Sequence, residues 1–132
     1  MKSPSKYFLS AIFLVCTLGF NSSAFSVLTS AKDANHPTFT LQTRNPLASK
    51  DSPISISSFA VYMKVDGKWD YANAVWEIKA HRDTSLEVKT ITYGVTPKGF
   101  NTSVAARPLV QGREYQGVGF SGNANGSVDF TR

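Results

Sequence analysis

Residues 54–71 read ISISSFAVYMKVDGKWDY, and the register they imply decides the fold. Phe59, Val61, Met63 and Val65 recur at every second position, the period of a strand with one buried face. Asp66-Gly67 then interrupts the run with the residue pair that best tolerates positive φ at both centres of a two-residue hairpin turn. Such a turn pairs Val65 with Lys68, Lys64 with Trp69, Met63 with Asp70, and Tyr62 with Tyr71. Opposed residues share a face of the sheet. One face therefore carries Val61, Met63 and Val65 and ends in Lys68 and Asp70. The other carries Tyr62, Lys64, Trp69 and Tyr71. Ile54 and Ile56 fall on the opposite parity, which predicts a bulge or kink at Ser57-Ser58.

The same period extends in both directions. Residues 38–43 (TFTLQT) alternate cleanly, and Ala74, Trp76, Ile78 and Ala80 alternate against Val75, Glu77 and Lys79. Leu86 and Val88, then Ile91, Tyr93 and Val95, form a further stretch with a parity break near Lys89-Thr90. Residues 115–120 and 127–130 complete the set. No window holds the three-and-four spacing of an amphipathic helix over more than two turns. Residues 44–53 (RNPLASKDSP) form a loop with two prolines, and 121–127 form a second. About seven short strands separated by turn signals predict an all-β antiparallel sandwich over 38–132. The chain's 132 residues suffice for one such core and not for two. A transmembrane barrel of eight strands, each ~10 residues, would use the whole chain beyond the leader and leave nothing for these loops.

The first residues carry a different signal. Lys2 and Lys6 precede an apolar run at 7–20 (YFLSAIFLVCTLGF), and Asn21-Ser22-Ser23-Ala24 then turns small and polar. That order is the signature of a secretory signal peptide over 1–26, and the run falls short of the ~20 residues a spanning helix needs. Cleavage fits after Ala24 or after Ser26, and 27–37 reads as a flexible lead-in. The first cut leaves 108 of the 132 residues. Cys16 is the only cysteine and lies inside the apolar run, preceded by Val15 where a lipoprotein needs a small residue. The mature chain then has no thiol and no transmembrane segment. Disulfides, cysteine nucleophiles and thiolate metal sites are all excluded. A periplasmic or secreted location follows.

Charge narrows the partners. Loss of Lys2 and Lys6 takes the 14 basic residues to 12 against 9 acidic ones, a net of +3. The remaining cations stand singly, without the run that tracks phosphates, so nucleic acid is not an expected partner.

Leu109, Gly112 and Tyr115 stand at steps of three. This spacing resembles the corner between the fifth and sixth strands of fibronectin type III domains, within the immunoglobulin-like sandwiches. The resemblance implies that Gly112 makes the turn, Leu109 anchors it in the core, and the Tyr115 hydroxyl bonds back to upstream backbone. Trp76 would be the core tryptophan and 127–130 the final strand. After the corner the likeness departs from its pattern, because Gly117 and Gly119 hold inward positions where apolar side chains belong. Either a bulge re-registers that strand, or the likeness extends only to immunoglobulin-like sandwiches in general. The stretch 91–120 is also similar to small uncharacterised exported proteins of Gram-negative bacteria, which implies a compartment and no activity.

Catalytic chemistry finds little support. His36 and His81 sit among polar loop residues, and His81-Arg82-Asp83 are consecutive, whereas a triad needs members converging on a nucleophile. Asp66 and Asp70 lack the alternating oxygen ligands of a calcium loop, and nothing calls for a metal or another cofactor. The aromatic face of the hairpin is the sharper candidate. With the opposite face in the core, Tyr62, Lys64, Trp69 and Tyr71 point outward as a surface for a protein or a carbohydrate. A register slipped by one residue, or a covering loop at 44–53, would instead bury these rings. The expectation is a non-enzymatic binding or accessory module. Its alternatives are a hydrolase inhibitor acting through the 44–53 or 121–127 loop and, last, a small hydrolase using His81.

Overall fold

The computed structural model describes residues 25–30, 33–49, 51–122 and 124–132. The expected leader lies outside them apart from Phe25 and Ser26, and Cys16 lies outside them too. The described residues form eleven strands, most of them with alternating apolar side chains: β1 (Phe25–Ser30), β2 (Thr38–Thr43), β3 (Ile54–Ile56), β4 (Ser58–Val65), β5 (Lys68–Trp69), β6 (Trp76–Ala80), β7 (Leu86–Val88), β8 (Thr90–Thr92), β9 (Phe100–Val104), β10 (Glu114–Ser121) and β11 (Ala124–Thr131). All pairings are antiparallel. One sheet runs β1-β2-β8, a larger one β11-β10-β4-β6-β9 with β5 on β4, and β3 and β7 form a two-stranded ribbon. No helix among the described residues is long and apolar enough to cross a membrane.

The two main sheets face each other across one core. β1, β2 and β8 contribute Phe25, Leu41, Phe39 and Ile91; β4, β6 and β10 contribute Phe59, Val61, Trp76, Ile78 and Tyr115. Phe39 meets Phe59 at 4.9 Å between ring centroids and Phe130 at 5.4 Å, so aromatic pairs stitch the sheets together. The result is an all-β, sandwich-like arrangement.

The parity breaks are where the chain changes sheets. At Ser57 the path leaves the ribbon and enters the large sheet, with Ser57 N–H donating to the Phe120 carbonyl and Ala80 N–H to that of Ser57. At Lys89 it leaves the ribbon for the three-stranded sheet, and the Lys89 carbonyl accepts from Leu41 N–H. Each switch inverts which side chains face inward. The continuous stretches read from sequence are therefore divided, and the strands number more than about seven.

Two boundaries differ from expectation, and one strand was not expected at all. The lead-in expected at 27–37 is strand over its first part: β1 pairs with β2 along its whole length, and Phe25 and Val27 are buried in the core. The expected 121–127 loop is the end of a hairpin, with Ser121 opposite Ala124 and β11 already under way. Finally, β9 shows no alternation because it lies at the edge of the large sheet, with Phe100 as its buried anchor and Asn101, Thr102 and Ser103 exposed.

In the segment 109–115, Gly112 has φ +82°, where an L side chain is strained. Leu109 is buried, and the Tyr115 hydroxyl accepts a 2.7 Å hydrogen bond from Val110 N–H. Downstream, β10 pairs in unbroken register with both β4 and β11, so no bulge follows the corner. At the inward-facing Gly117 two rings take the space a side chain would need, one from the facing sheet and one from the neighbouring strand β4: a Cβ there would lie 2.9 Å from Phe39 Cε1 and 3.1 Å from Phe59 Cζ. The apolar side chains that β10 lacks are supplied by Phe25 and Phe39 from across the core and by Phe59 of the adjacent β4.

Candidate ligand-binding face

Asp66 and Gly67 have φ 51° and 77°, the double positive φ of the tight hairpin turn. Lys64 pairs with Trp69 and Val65 with Lys68, Asp70 N–H donates to the Met63 carbonyl at 3.0 Å, and the Tyr62 and Tyr71 rings meet at 4.9 Å. The register is the one set by the turn, without a slip. Val61 and Met63 join the core cluster, and Tyr62, Lys64, Trp69 and Tyr71 lie on the opposite face of the sheet.

That outer face is ordered in rows by strand pairing. Tyr62, Gln116 and Asp129 stand side by side across β4, β10 and β11; Ala60, Val118 and Ser127 form the next row, and Ser58, Phe120 and Asn125 the third. Ala60, Tyr62 and Val118 form a small second apolar cluster, with Ala74 and Phe120 packed on it. Tyr71 folds over Tyr62 edge to face and leaves it 8% exposed, while Tyr71 itself is 60% exposed. Burial pushes the Tyr62 hydroxyl above its usual pKa, and nearby Glu77 and Tyr71 push the same way.

A polar chain holds Tyr71 in place. Its hydroxyl donates to Gln116 Oε1 at 2.8 Å, and Gln116 Nε2 donates to Asp129 Oδ1 at 3.2 Å. Beside this chain lies a groove of about 190 Å³, with Val118 at its base, the rings of Tyr71 and Phe120, and the neutral polar groups of Gln116, Asn125 and Ser127. The aromatic set expected from sequence is thus divided. Tyr62 is the support and Tyr71 the exposed ring. Trp69 is half-buried with the Lys64 ammonium 5.4 Å over its ring, and that ammonium also lies 3.6 Å from Glu114 Oε2. Lys64 is engaged within the protein instead of presenting a free cation to a ligand. Val118, Phe120, Asn125 and Ser127 were not singled out from sequence. The signal for the two apolar ones lay in their parity: with Tyr115, Gly117 and Gly119 inward in an unbroken strand, Val118 and Phe120 stand outward beside Gln116.

A larger cavity, about 420 Å³, opens at one end of the sandwich between Asn35, His36, Tyr93, Gly94, Arg107 and Leu109. Its polar groups brace one another. The Tyr93 hydroxyl donates to the Arg107 carbonyl at 2.6 Å, Arg107 Nη2 to the Ala74 carbonyl, and Arg132 to Asn35 Oδ1. His36 Nδ1 sits 3.0 Å from Asp33 Oδ2, a contact that, with the Asn35 N–H, holds the Asp33 carboxyl below its usual pKa. These contacts fasten the chain end and the 33–37 turn to the fold.

His81 occupies a single 3-10 turn (His81–Asp83) in which Arg82 has φ 55°, and its exposed ring contacts the Asn101 side-chain amide at 3.1 Å. No serine or threonine hydroxyl is hydrogen-bonded to either histidine ring among these contacts. Among the described residues no group of three or more His, Cys, Asp or Glu side chains converges as a metal site would require. No family model matches this chain, and no curated protein or solved structure does.

Proposed function

We propose that this protein is an exported, non-enzymatic binding module of immunoglobulin-like type that takes its ligand on the outer face of the large sheet. The observation that carries the reading is Tyr71, a ring 60% exposed yet fixed by both an aromatic contact and a hydrogen bond. A ring held in place before its ligand arrives binds with less entropic cost. The groove beside it offers apolar rings together with amide and hydroxyl groups and no charged lining. That combination fits a neutral, hydroxyl-rich ligand such as a carbohydrate, whose C–H faces lie on aromatic rings and whose hydroxyls meet amides. The tyrosine corner supports the immunoglobulin-like assignment, and the leader-like residues 1–24 support export to the periplasm or beyond.

Titration with soluble chito-, cello- and malto-oligosaccharides, followed by calorimetry, tests the reading. Tyr71→Ala is expected to weaken the binding seen in the parent about tenfold or more, ~1.4 kcal/mol. Retained affinity in that variant refutes the use of this face.

One observation favours a second reading. Leu47, at the tip of the 44–53 loop, is 94% exposed, the shape of an anchor that inserts into another protein's pocket. A hydrolase inhibitor would use this loop, and its inhibition would vanish on Leu47→Asp while Tyr71→Ala left it intact.

A further inference from the structure

Phe25 opens β1 and is fully buried, with 0% exposure. Its ring lies in a slot that two glycines create. A Cβ at Gly126 of β11 would come within 2.7 Å of Phe25 Cε2 and of the Phe25 carbonyl oxygen, and one at Gly119 of β10 within 3.2 Å of Cε2. The slot accepts this ring because neither strand has a side chain there. Phe25 pairs with Thr43 and Ser26 with Gln42, so both residues belong to the ladder of the three-stranded sheet.

The two cuts that the sequence permits are therefore not equivalent. Cleavage after Ala24, with Ser22 and Ala24 as the small residues third and first before the bond, keeps all of β1. Cleavage after Ser26 removes Phe25 and Ser26 and leaves a ring-sized void against two glycines that cannot fill it. We propose that the leader is cut at the Ala24–Phe25 bond, so that the mature chain begins on a core side chain. In that step a leader peptidase selective for small residues directs water onto the Ala24 carbonyl. The C–N bond breaks, Ala24 leaves with the hydroxyl as the leader's carboxylate, and Phe25 retains the nitrogen as a free ammonium group. The inference rests on export as proposed above, and its test separates the two.

The full chain is produced in a bacterial host and the soluble protein from the cell envelope is examined by intact mass and N-terminal sequencing. Phe25 as first residue is the expected result. Val27 as first residue overturns the assignment while leaving export standing; retention of Met1 overturns both. Ser22→Tyr, which places a large side chain third before the bond, is expected to block release, whereas Ser26→Tyr is expected to leave Phe25 first. A Ser26→Tyr product with a different first residue overturns the proposal. Phe25→Ala is expected to be cut at the same bond but to melt ~12 °C or more below the parent. A melting temperature within ~2 °C would show that the slot gives no reason for the choice of bond.

Discussion

Phe59 and Tyr62 stand three residues apart on β4, and opposite environments receive them. Phe59 has zero exposure and meets Phe39 of the facing sheet and Trp76 of the neighbouring strand. Tyr62 is nearly as hidden, yet its cover is the ring of Tyr71, itself largely in solvent. The inner face is closed by a second sheet, and the outer face is closed by one hairpin residue. Burial of the same degree thus has different origins: one belongs to the global fold, and the other can be removed by a local opening of the 66–71 hairpin.

The strongest way to break this comparison is to truncate a ring on each side. Trp76→Ala should cost ~3–5 kcal/mol, because the void lies in a packed interior that cannot collapse. Tyr71→Ala should cost less than ~1 kcal/mol in the same urea titration, since its ring mostly faces water. Comparable losses would mean that the outer cluster is a second core. Alkaline titration sharpens the contrast. Burial raises the Tyr93 hydroxyl from 10.0 to about 12, with the nearby Tyr115 adding to the shift. Below pH 10 both folded and unfolded chains keep this proton, so its contribution is fully present. Between pH 10 and about 12 the unfolded chain releases the proton and the folded one holds it, so stability should fall by ~2–3 kcal/mol. Tyr93→Phe should flatten that decline. A smaller effect is expected at the corner: Tyr115→Phe removes the acceptor of the Val110 N–H and should cost ~1–1.5 kcal/mol, read from the urea midpoint.

Local chemistry made some of this legible in the sequence. Asp66-Gly67 favours a two-residue turn, that turn sets the register, and the register assigns Tyr62, Lys64, Trp69 and Tyr71 to one face through pairings only a few residues apart. Leu109, Gly112 and Tyr115 were legible for the same reason, since the bond they support spans five residues. What escaped was set at long range. β1 looked like a polar lead-in because only Phe25 and Val27 bury side chains there, and the slot for Phe25 comes from glycines of β10 and β11. β9 escaped because an edge strand anchored by Phe100 has no alternation to detect. The groove is shared by β10, β11 and the hairpin, so its lining depends on which strands become neighbours. Period two carries no information on that order.

The packing of β1 against β11 also bears on when the protein can fold. Phe25 reaches its glycines roughly a hundred positions down the chain, so β1 waits for β11. A ribosome that has released everything but β11 holds a polypeptide whose core is still open. Contacts of such sequence separation make for slow, late closure. Until β11 docks, the slot that holds the Phe25 ring stays open on one side, and the two sheets have no finished seam.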